Sequence, residues 1–299
     1  GVSWRVLLED LQTAYHQLHA GKPLDLPAKT SSTQAWAAHL QRYARSETLQ
    51  AQLAYWQAQL GQADADLPCD NPGGSLHGLH VGTARTRLDS ASTRQLLQQA
   101  PAAYRTQVND LLLTALARVI ARWTQRSDVL VQLEGHGREE LFDTVDLTRT
   151  VGWFTSVFPV RLSPEQTLDA SIKRIKEQLR SIPDKGLGYG ALRYLGDEQA
   201  RAALAQLPNP HITFNYLGQF DGSFAPGSDA DASAFLVPAG ESAGASQSSE
   251  APLDNWLSIN GQVYAGELNL EWTFSRDMFN VDTVQRLADQ FAAELKAIV

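Results

Sequence analysis

The stretch DVLVQLEGHGRE, at residues 128–139, is the most informative part of the sequence for both fold and site. Its first half is short, apolar and rich in β-branched residues, which predicts a buried strand. Because strand side chains alternate between faces, Glu134 shares a face with Leu130 and Gln132. A carboxylate at the end of a buried strand costs free energy of desolvation, so it is expected either to be paired or to have a functional role. The glycines on either side of His136 permit a sharp turn and let a ligand approach the backbone closely.

The residues of this stretch leave two interpretations open. In the first, Glu134 serves a proton-transfer site, for which an awkwardly placed acid beside unhindered backbone is suited. In the second, the strand ends in a polar turn and Glu134 pairs with Arg138. We expect His136 to be a hydrogen-bonding turn residue rather than a catalytic one, because histidine readily finds local partners.

Five further segments extend the pattern along the chain. They are GVSW at 1–4, YRTQVNDLLLTALA at 104–117, RTVGWFTSVFP at 149–159, PDKGLGYG at 183–190 and FNYLGQ at 214–219. Together with the stretch around Glu134, and in this order and spacing, they resemble the epimerization domains of nonribosomal peptide synthetases. The resemblance covers nearly the whole chain.

The resemblance implies a chloramphenicol-acetyltransferase-like fold with two lobes, in which a mixed sheet is flanked by helices. Strands that alternate with helices along the chain also predict an α/β protein with a mixed sheet. Residues 1–75 would form the helical end of the N-terminal lobe, and residues 76–299 the C-terminal lobe. The Ser-, Ala-, Gly- and Asp-rich residues 221–252 are expected to be a flexible excursion.

The resemblance also implies a reaction. The chain would epimerize, from L to D at Cα, an aminoacyl or peptidyl thioester held on the phosphopantetheine arm of a carrier domain. Glu134 would transfer the proton, while Asn215 and Tyr216 would orient the thioester or donate to the enolate oxygen. Burial is expected to raise the pKa of Glu134 toward the working pH. No metal and no cofactor of the chain's own is expected.

Asn215 and Tyr216 raise a geometric question, because adjacent strand residues face opposite sides. Both serve one site only if the strand ends or bulges there, which Gly218 makes plausible. The alternative is that one of the two is a core residue. The resemblance favours a site role for at least one of them.

Three residues near the turn are candidates for substrate binding: Gly135, Arg138 and Trp153. Trp153 follows a glycine in an apolar segment, and it either packs against the core or lines a substrate channel. Metal binding is not indicated anywhere in the sequence.

Two arginines near the turn admit two interpretations. Arg138 and Arg149 either steer an acidic partner or pair locally with Glu139 and Asp146. We favour local pairing, since neighbouring opposite charges are common on protein surfaces.

Two other functions fit the same kind of fold. A condensation domain would form a peptide bond and would not need a carboxylate at Glu134. A non-catalytic docking module would bind a carrier domain and neighbouring synthetase domains without chemistry. Only an epimerase would exchange the substrate Cα proton with solvent, so this exchange separates the three possibilities.

One departure from the family pattern concerns the first residues. The family motif reads His-His-x-x-x-Asp-Gly, and this sequence begins at its final Gly1. We therefore expect the chain to be a fragment, inactive by itself, that works with a missing N-terminal lobe. The apolar faces of the helices of Trp4 and Trp36 are then expected to lie exposed.

Composition excludes several function classes. The net charge of −8 argues against nucleic acid as a partner, because phosphate binding requires a basic surface. Cys69 is the only cysteine, so an internal disulfide is impossible, and this composition suits a reducing cytoplasm. No apolar run is long enough to span a membrane.

Local patterns predict several element boundaries. Residues 81–88 are expected to form a strand, and a hairpin is expected around Gly266. Ser3 is expected to cap the first helix, and Ser163 is expected to open a capping box with proline at the first helical position.

Overall fold

The computed structural model describes residues 2–219, 241, 244–245 and 247–299. Its strands are β1 (Val81–Leu88), β2 (Val129–Gly135), β3 (Ser156–Leu162), β4 (Ile212–Gln219), β5 (Leu257–Tyr264) and β6 (Glu267–Ser275). Its helices are α1 (Val2–His19), α2 (Thr33–Ala44), α3 (Glu47–Gln50), α4 (Leu53–Leu60), α5 (Ser90–Arg94), α6 (Ala100–Tyr104), α7 (Val108–Thr124), α8 (Leu168–Arg180), α9 (Leu187–Leu195), α10 (Glu198–Ala205) and α11 (Val281–Ile298). A π-helical turn, Gln95–Gln99, joins α5 to α6, and short 3-10 turns span Gly78–His80 and Pro183–Gly186.

The strands form one mixed sheet in the order β1-β6-β5-β4-β2-β3. Strand β4 runs parallel to β2 and β5, and the other neighbours are antiparallel. In the β5–β6 hairpin, Ala265 and Gly266 have φ values of 50° and 75°. Two consecutive left-handed residues suit a two-residue hairpin, because their twist matches that of the strands. The mixed α/β sheet, the hairpin around Gly266 and the strand at 81–88 are thus confirmed.

One face of the sheet carries the core. Buried and exposed residues alternate strictly along β1, so half of its side chains face the helices. Helix α11 packs against β1 and α7, and α7 packs against α8. The buried Thr86 hydroxyl donates to the carbonyl of Ala288 in α11 (2.8 Å) and accepts from Nε1 of Trp272 (3.0 Å). The buried Thr86 hydroxyl is therefore satisfied both as a donor and as an acceptor.

Helices α3 and α4 belong to the same core as the sheet. Leu49, Trp56 and Leu60 are buried in one cluster with the apolar side chains of the strands. Helix α4 packs against β3 and α10, and α2 packs against α9. The hydrophobic core therefore includes side chains from both sides of residue 75, where the sequence analysis divides the two lobes.

The two helices that were expected to expose apolar faces behave differently. Helix α1 does expose its stripe, with Trp4 and Leu18 accessible over 68% and 61% of their surfaces. The prediction is wrong for Trp36, which is buried and packs against Phe154 at a ring-centroid distance of 6.2 Å. Residues that are distant in sequence cover α2.

Both predicted helix caps are wrong. Ser3 lies inside α1, where its hydroxyl donates to the carbonyl of Gly152 (2.9 Å) and accepts from the N–H of the same residue (3.1 Å). Helix α8 begins later than Ser163, with Thr167 as its cap and the N–H of Ala170 as the donor (3.3 Å). In the first case a long-range partner replaces the local one. In the second, the threonine that precedes the apolar stripe directly supplies the cap.

Most of the predicted excursion over residues 221–252 lies outside the described residues. Its described end is tied to the rest of the protein through an antiparallel bridge between Pro252 and His77 and through the N–H of Gly78, which donates to the carbonyl of Ala251 (2.9 Å). The N–H of Leu253 also donates to the carbonyl of Leu76 (2.7 Å).

Candidate active site

The exposed face of the sheet carries a polar row that crosses five strands. Its members are Glu134 on β2, Asn215 on β4, Asn260 on β5, Glu271 on β6 and Arg85 on β1. The parallel register aligns Gln132 with Thr213, so the next pair on the same face is Glu134 and Asn215. The structure therefore brings together two of the predicted site residues.

Glu134 lies at the end of β2 with its side chain exposed on this polar face. Its cross-strand neighbour on β3 is Val157. Partial desolvation raises the pKa of the Glu134 carboxyl, and the negative charge of Asp254 raises the pKa further. The direction is the one predicted from the sequence. A carboxylate with a raised pKa is a stronger base once ionised, which suits proton abstraction.

The strands below Glu134 are tied together by side-chain hydrogen bonds. Nε2 of Gln132 donates to Oγ1 of Thr213 (3.2 Å), which also accepts from Nδ2 of Asn255 (3.0 Å). This polar support lies on the same face as Glu134 and holds β2 against β4. The position of the carboxylate is thereby fixed relative to Asn215.

Tyr216 does not face this site. It packs against the main core, and its ring lies 3.5 Å from where a Cβ on Gly261 would stand. The irregularity in the β4–β5 register comes only after Tyr216, and Gly218 there has a φ of 80°. Strand alternation therefore still separates Asn215 from Tyr216. Tyr216 is therefore the member of the pair that packs against the core. Desolvation there raises the pKa of its hydroxyl.

The turn after Glu134 is held by His136. Its Nδ1 accepts from the N–H of Arg138 (3.0 Å), and its Nε2 lies 3.3 Å from Oε1 of Glu139. With Nδ1 as the acceptor, the neutral ring carries its proton on Nε2 and donates to the carboxylate. His136 is thus the hydrogen-bonding turn residue that the sequence predicts.

The predicted pairing of the arginines is wrong. Arg138 donates to the carbonyl of Leu147 (2.5 Å) and to the hydroxyl of Ser3 (3.0 Å). Arg149 instead pairs with Glu9 (3.0 Å) and Asp10 (2.5 Å) on α1. Neither arginine pairs with the acidic neighbour predicted for it, and each reaches a partner on α1. Arg138 anchors this loop, and its role in substrate binding stays a prediction.

A groove of about 920 Å³ runs beside the strand that carries Glu134. Apolar side chains dominate its lining, among them those of Trp36, Leu40, Trp153, Val157, Tyr194 and Leu195. Within the described residues, Arg193 is the one charged residue that lines it. Val157, directly opposite Glu134, connects the groove to the polar row. Trp153 is 87% exposed at the groove, so it is not a core residue.

The two glycines that flank His136 differ in backbone conformation and in the space around them. Gly137 has a φ of 67°, and a Cβ there would overlap the carbonyl oxygen of Phe154. Gly135 has ordinary backbone, but its Cβ would lie 2.8 Å from the hydroxyl of Ser156. Close approach of protein backbone, rather than of a ligand, therefore accounts for Gly137.

We expect Gly137→Ala to destabilise the fold by about 2–4 kcal/mol, since left-handed strain and a backbone clash add. Thermal unfolding should show a melting temperature several degrees lower. The matched control is Gly218→Ala, because Gly218 has a φ of 80° and open space around it. Equal losses in the two variants would contradict the role given to the contact with Phe154.

Two kinds of feature are absent from the described residues. They hold no group of His, Cys, Asp or Glu side chains arranged to bind a metal ion. None of the helices described is both long and apolar enough to cross a bilayer.

Two residues near the site were not singled out from the sequence, although Lys185 belongs to the segment PDKGLGYG. Asp254 precedes β5 and acts on Glu134 through its charge. Lys185 lies in the turn before α9, with Nζ 2.8 Å from Oε2 of Glu139. Both meet their partners only through the pairing of distant segments, which no local pattern reports.

Comparisons with known proteins identify the family and the fold. The family profile described as Condensation domain matches residues 1–299. A linear gramicidin synthase protein of Brevibacillus parabrevis is 44% identical over 303 residues, which cover 100% of this chain and 6% of that protein. Tyrocidine synthase 1 of the same organism is 38% identical over 309 residues, covering 100% of this chain and 28% of that protein. The chain thus spans a small part of each relative.

Two solved structures place the chain within this fold. The crystal structure of the epimerization domain from the third module of tyrocidine synthetase B matches with a TM-score of 0.89 at 38% identity, covering 100% of this chain and 66% of that one. The first condensation domain of the calcium-dependent antibiotic synthetase, in complex with a substrate analogue, matches with a TM-score of 0.66 at 17% identity, covering 100% and 63%. The second likeness shows the shared fold alone.

Proposed function

Because the chain belongs to the condensation-domain family, we propose that it epimerizes, from L to D at Cα, an aminoacyl or peptidyl thioester carried on the phosphopantetheine arm of a carrier domain. The observation that carries the proposal is Glu134, a carboxylate of raised pKa beside Asn215 on the exposed polar face. Peptide-bond formation does not require a base at that place. The likeness to an epimerization domain, at 38% identity, supports the same choice.

The reaction requires a base that removes the Cα proton and a hydrogen-bond donor that stabilises the enolate oxygen. The ionised Glu134 takes the Cα proton, and the electron pair moves into the thioester carbonyl to give an enolate. Sulfur donates weakly into that carbonyl, so the Cα proton is more acidic than in an amide. Asn215 donates from its amide to the enolate oxygen, where a fixed donor is most effective. A second acid–base group, for which the family pattern has a histidine, gives a proton to the opposite face of Cα, and Glu134 then releases the abstracted proton to solvent.

The groove beside β3 is the proposed place for the acyl side chain. Val157 connects it to Glu134, and Trp153 and Tyr194 supply aromatic surface. Pockets of this size and apolar character commonly hold small ligands, with a few polar groups fixing their orientation.

We expect Trp153→Ala to raise the KM for an aromatic aminoacyl thioester about tenfold, which corresponds to about 1.4 kcal/mol, and to change kcat little. Loss of a large exposed aromatic surface removes binding without moving Glu134. Steady-state kinetics on the full-length protein with a loaded carrier would measure both constants. Trp153→Phe is the conservative control and should retain most of the affinity. An unchanged KM in the alanine variant would remove Trp153 from substrate binding.

The proposal is tested by the stereochemistry of the product. The full-length protein is incubated with a carrier bearing an L-aminoacyl thioester, and the acid released by hydrolysis is resolved on a chiral column. We expect a mixture of L and D forms. If an acceptor carrier instead receives a peptide bond and no D form appears, the chain is a condensation domain. If neither product forms, it is a docking module.

A further inference from the structure

The turn that leads into α9 has an unusual backbone. Asp184, Lys185 and Gly186 have φ values of 47°, 50° and 86°, so three residues in a row are left-handed. Only the last of them is a glycine, and a Cβ on it would overlap the ring of Phe158. Non-glycine residues keep such conformations only where the surrounding contacts hold them, and such sites are often functional.

Asp184 is held from the side of the helices. Its Oδ2 accepts from the hydroxyl of Tyr43 in α2 and from Nε2 of Gln52, the latter at 2.6 Å. Burial, and then the neighbouring Asp184 carboxylate, raise the pKa of the Tyr43 hydroxyl, which therefore stays a neutral donor. Asp184, the first of the three left-handed residues, is thus fixed to the core.

Lys185 reaches in the other direction, toward the loop after Glu134. Its Nζ lies 2.8 Å from Oε2 of Glu139, whose Oε1 lies 3.3 Å from Nε2 of His136. The Glu139 side chain is only 15% exposed, whereas Lys185 is 76% exposed. A carboxylate that is largely shielded from solvent is held in place by such partners. His136 in turn binds the N–H of Arg138 (3.0 Å), which closes the turn directly after the strand of Glu134.

We infer that the chain of contacts Lys185–Glu139–His136 positions Glu134 for proton transfer. The inference rests on the proposed function, and it makes Lys185 and Glu139 positioning residues. The strained turn is held to the core through Asp184, and it directs Lys185 onto Glu139. Glu139 then holds the ring of His136, which fixes the turn that ends β2. A small displacement of a reacting group is costly, since an error of 1 Å reduces the rate about 10²-fold.

The test separates positioning from stability. We expect Lys185→Gln to lower kcat about tenfold, which on a free-energy scale is half of the cost of a 1 Å misplacement, with an unchanged KM and melting temperature. Lys185→Arg keeps the charge and should restore kcat to within about twofold of the wild type. Lys185→Gln combined with Glu139→Gln should lose no more activity than Glu139→Gln alone, because residues in one network are not additive.

Lys173→Gln is the matched control, because Lys173 forms an exposed pair with Asp169 on α8 (2.7 Å) and should leave kcat unchanged. All variants are made in the full-length protein, and exchange at Cα is measured beside Glu134→Gln. If Glu134→Gln is inactive while Lys185→Gln and Lys185→Arg both keep the wild-type kcat, the positioning chain is overturned and the proposed function stands. If Glu134→Gln itself exchanges normally, the proposed function fails first.

Discussion

Replacing Glu134 with glutamine is expected to slow proton exchange at the substrate Cα by about 10²–10⁴-fold. The amide has nearly the same shape as the carboxyl but cannot accept the proton. The fold should persist, because Glu134 is exposed and β2 is held by core residues such as Val131 and Leu133. An unchanged melting temperature and unchanged carrier binding would show that only the chemistry is lost.

The matched control for this variant is Glu271→Gln. Glu271 lies in the same polar row, 49% exposed and 3.7 Å from Arg85, but on β6 and away from the groove. Its replacement should leave exchange unchanged. The wild-type rate should also fall as the pH drops through the raised pKa of Glu134, because the protonated carboxyl is not a base. Exchange at a normal rate in Glu134→Gln would contradict the assignment.

Replacing Asn215 with alanine is expected to raise the barrier by about 3–4 kcal/mol, the usual effect of losing one oxyanion-type donor. The loss should appear in kcat, since the enolate oxygen exists only along the reaction path. Single-turnover measurements with a saturating loaded carrier would isolate this step. The register places Asn215 beside Glu134, so both act on one substrate face.

Asn260→Ala is the matched control for Asn215. Asn260 is the direct neighbour of Asn215 in the polar row, one strand further from Glu134. Its replacement should reduce kcat far less. If the two alanine variants lose activity equally, the row acts as a general polar surface. If Asn215→Ala weakens carrier binding while saturated turnover stays normal, Asn215 is a docking residue.

The features that local patterns control were predictable from the sequence. The strand at 81–88 was located from the sequence, and a single glycine between two apolar runs located the β5–β6 hairpin. Alternation placed Asn215 and Tyr216 on opposite faces unless the strand ended or bulged at that point. It did not say which of them faces the core, because that depends on how β4 pairs with β2 and β5.

The features that depend on distant partners were not predictable. Arg149 was expected to pair with a neighbour, yet it reaches Glu9 on α1. Ser3 resembles a helix cap, yet its hydroxyl serves the backbone of Gly152. Lys185 reaches Glu139 only because the turn before α9 packs against the loop after β2. In each case tertiary packing supplies a partner that outcompetes the local one.

The proposed proton transfer is tested most directly by deuterium uptake from heavy water. A carrier loaded with either the L or the D aminoacyl thioester is incubated in heavy water with the full-length protein. The amino acid is then released by hydrolysis, and its deuterium content is measured by mass spectrometry. We predict that both enantiomers gain one deuteron at Cα and converge on the same L and D mixture, and that Glu134→Gln prevents both. Retention of the original proton and configuration by each enantiomer, with wild-type protein and a bound carrier, would contradict the account.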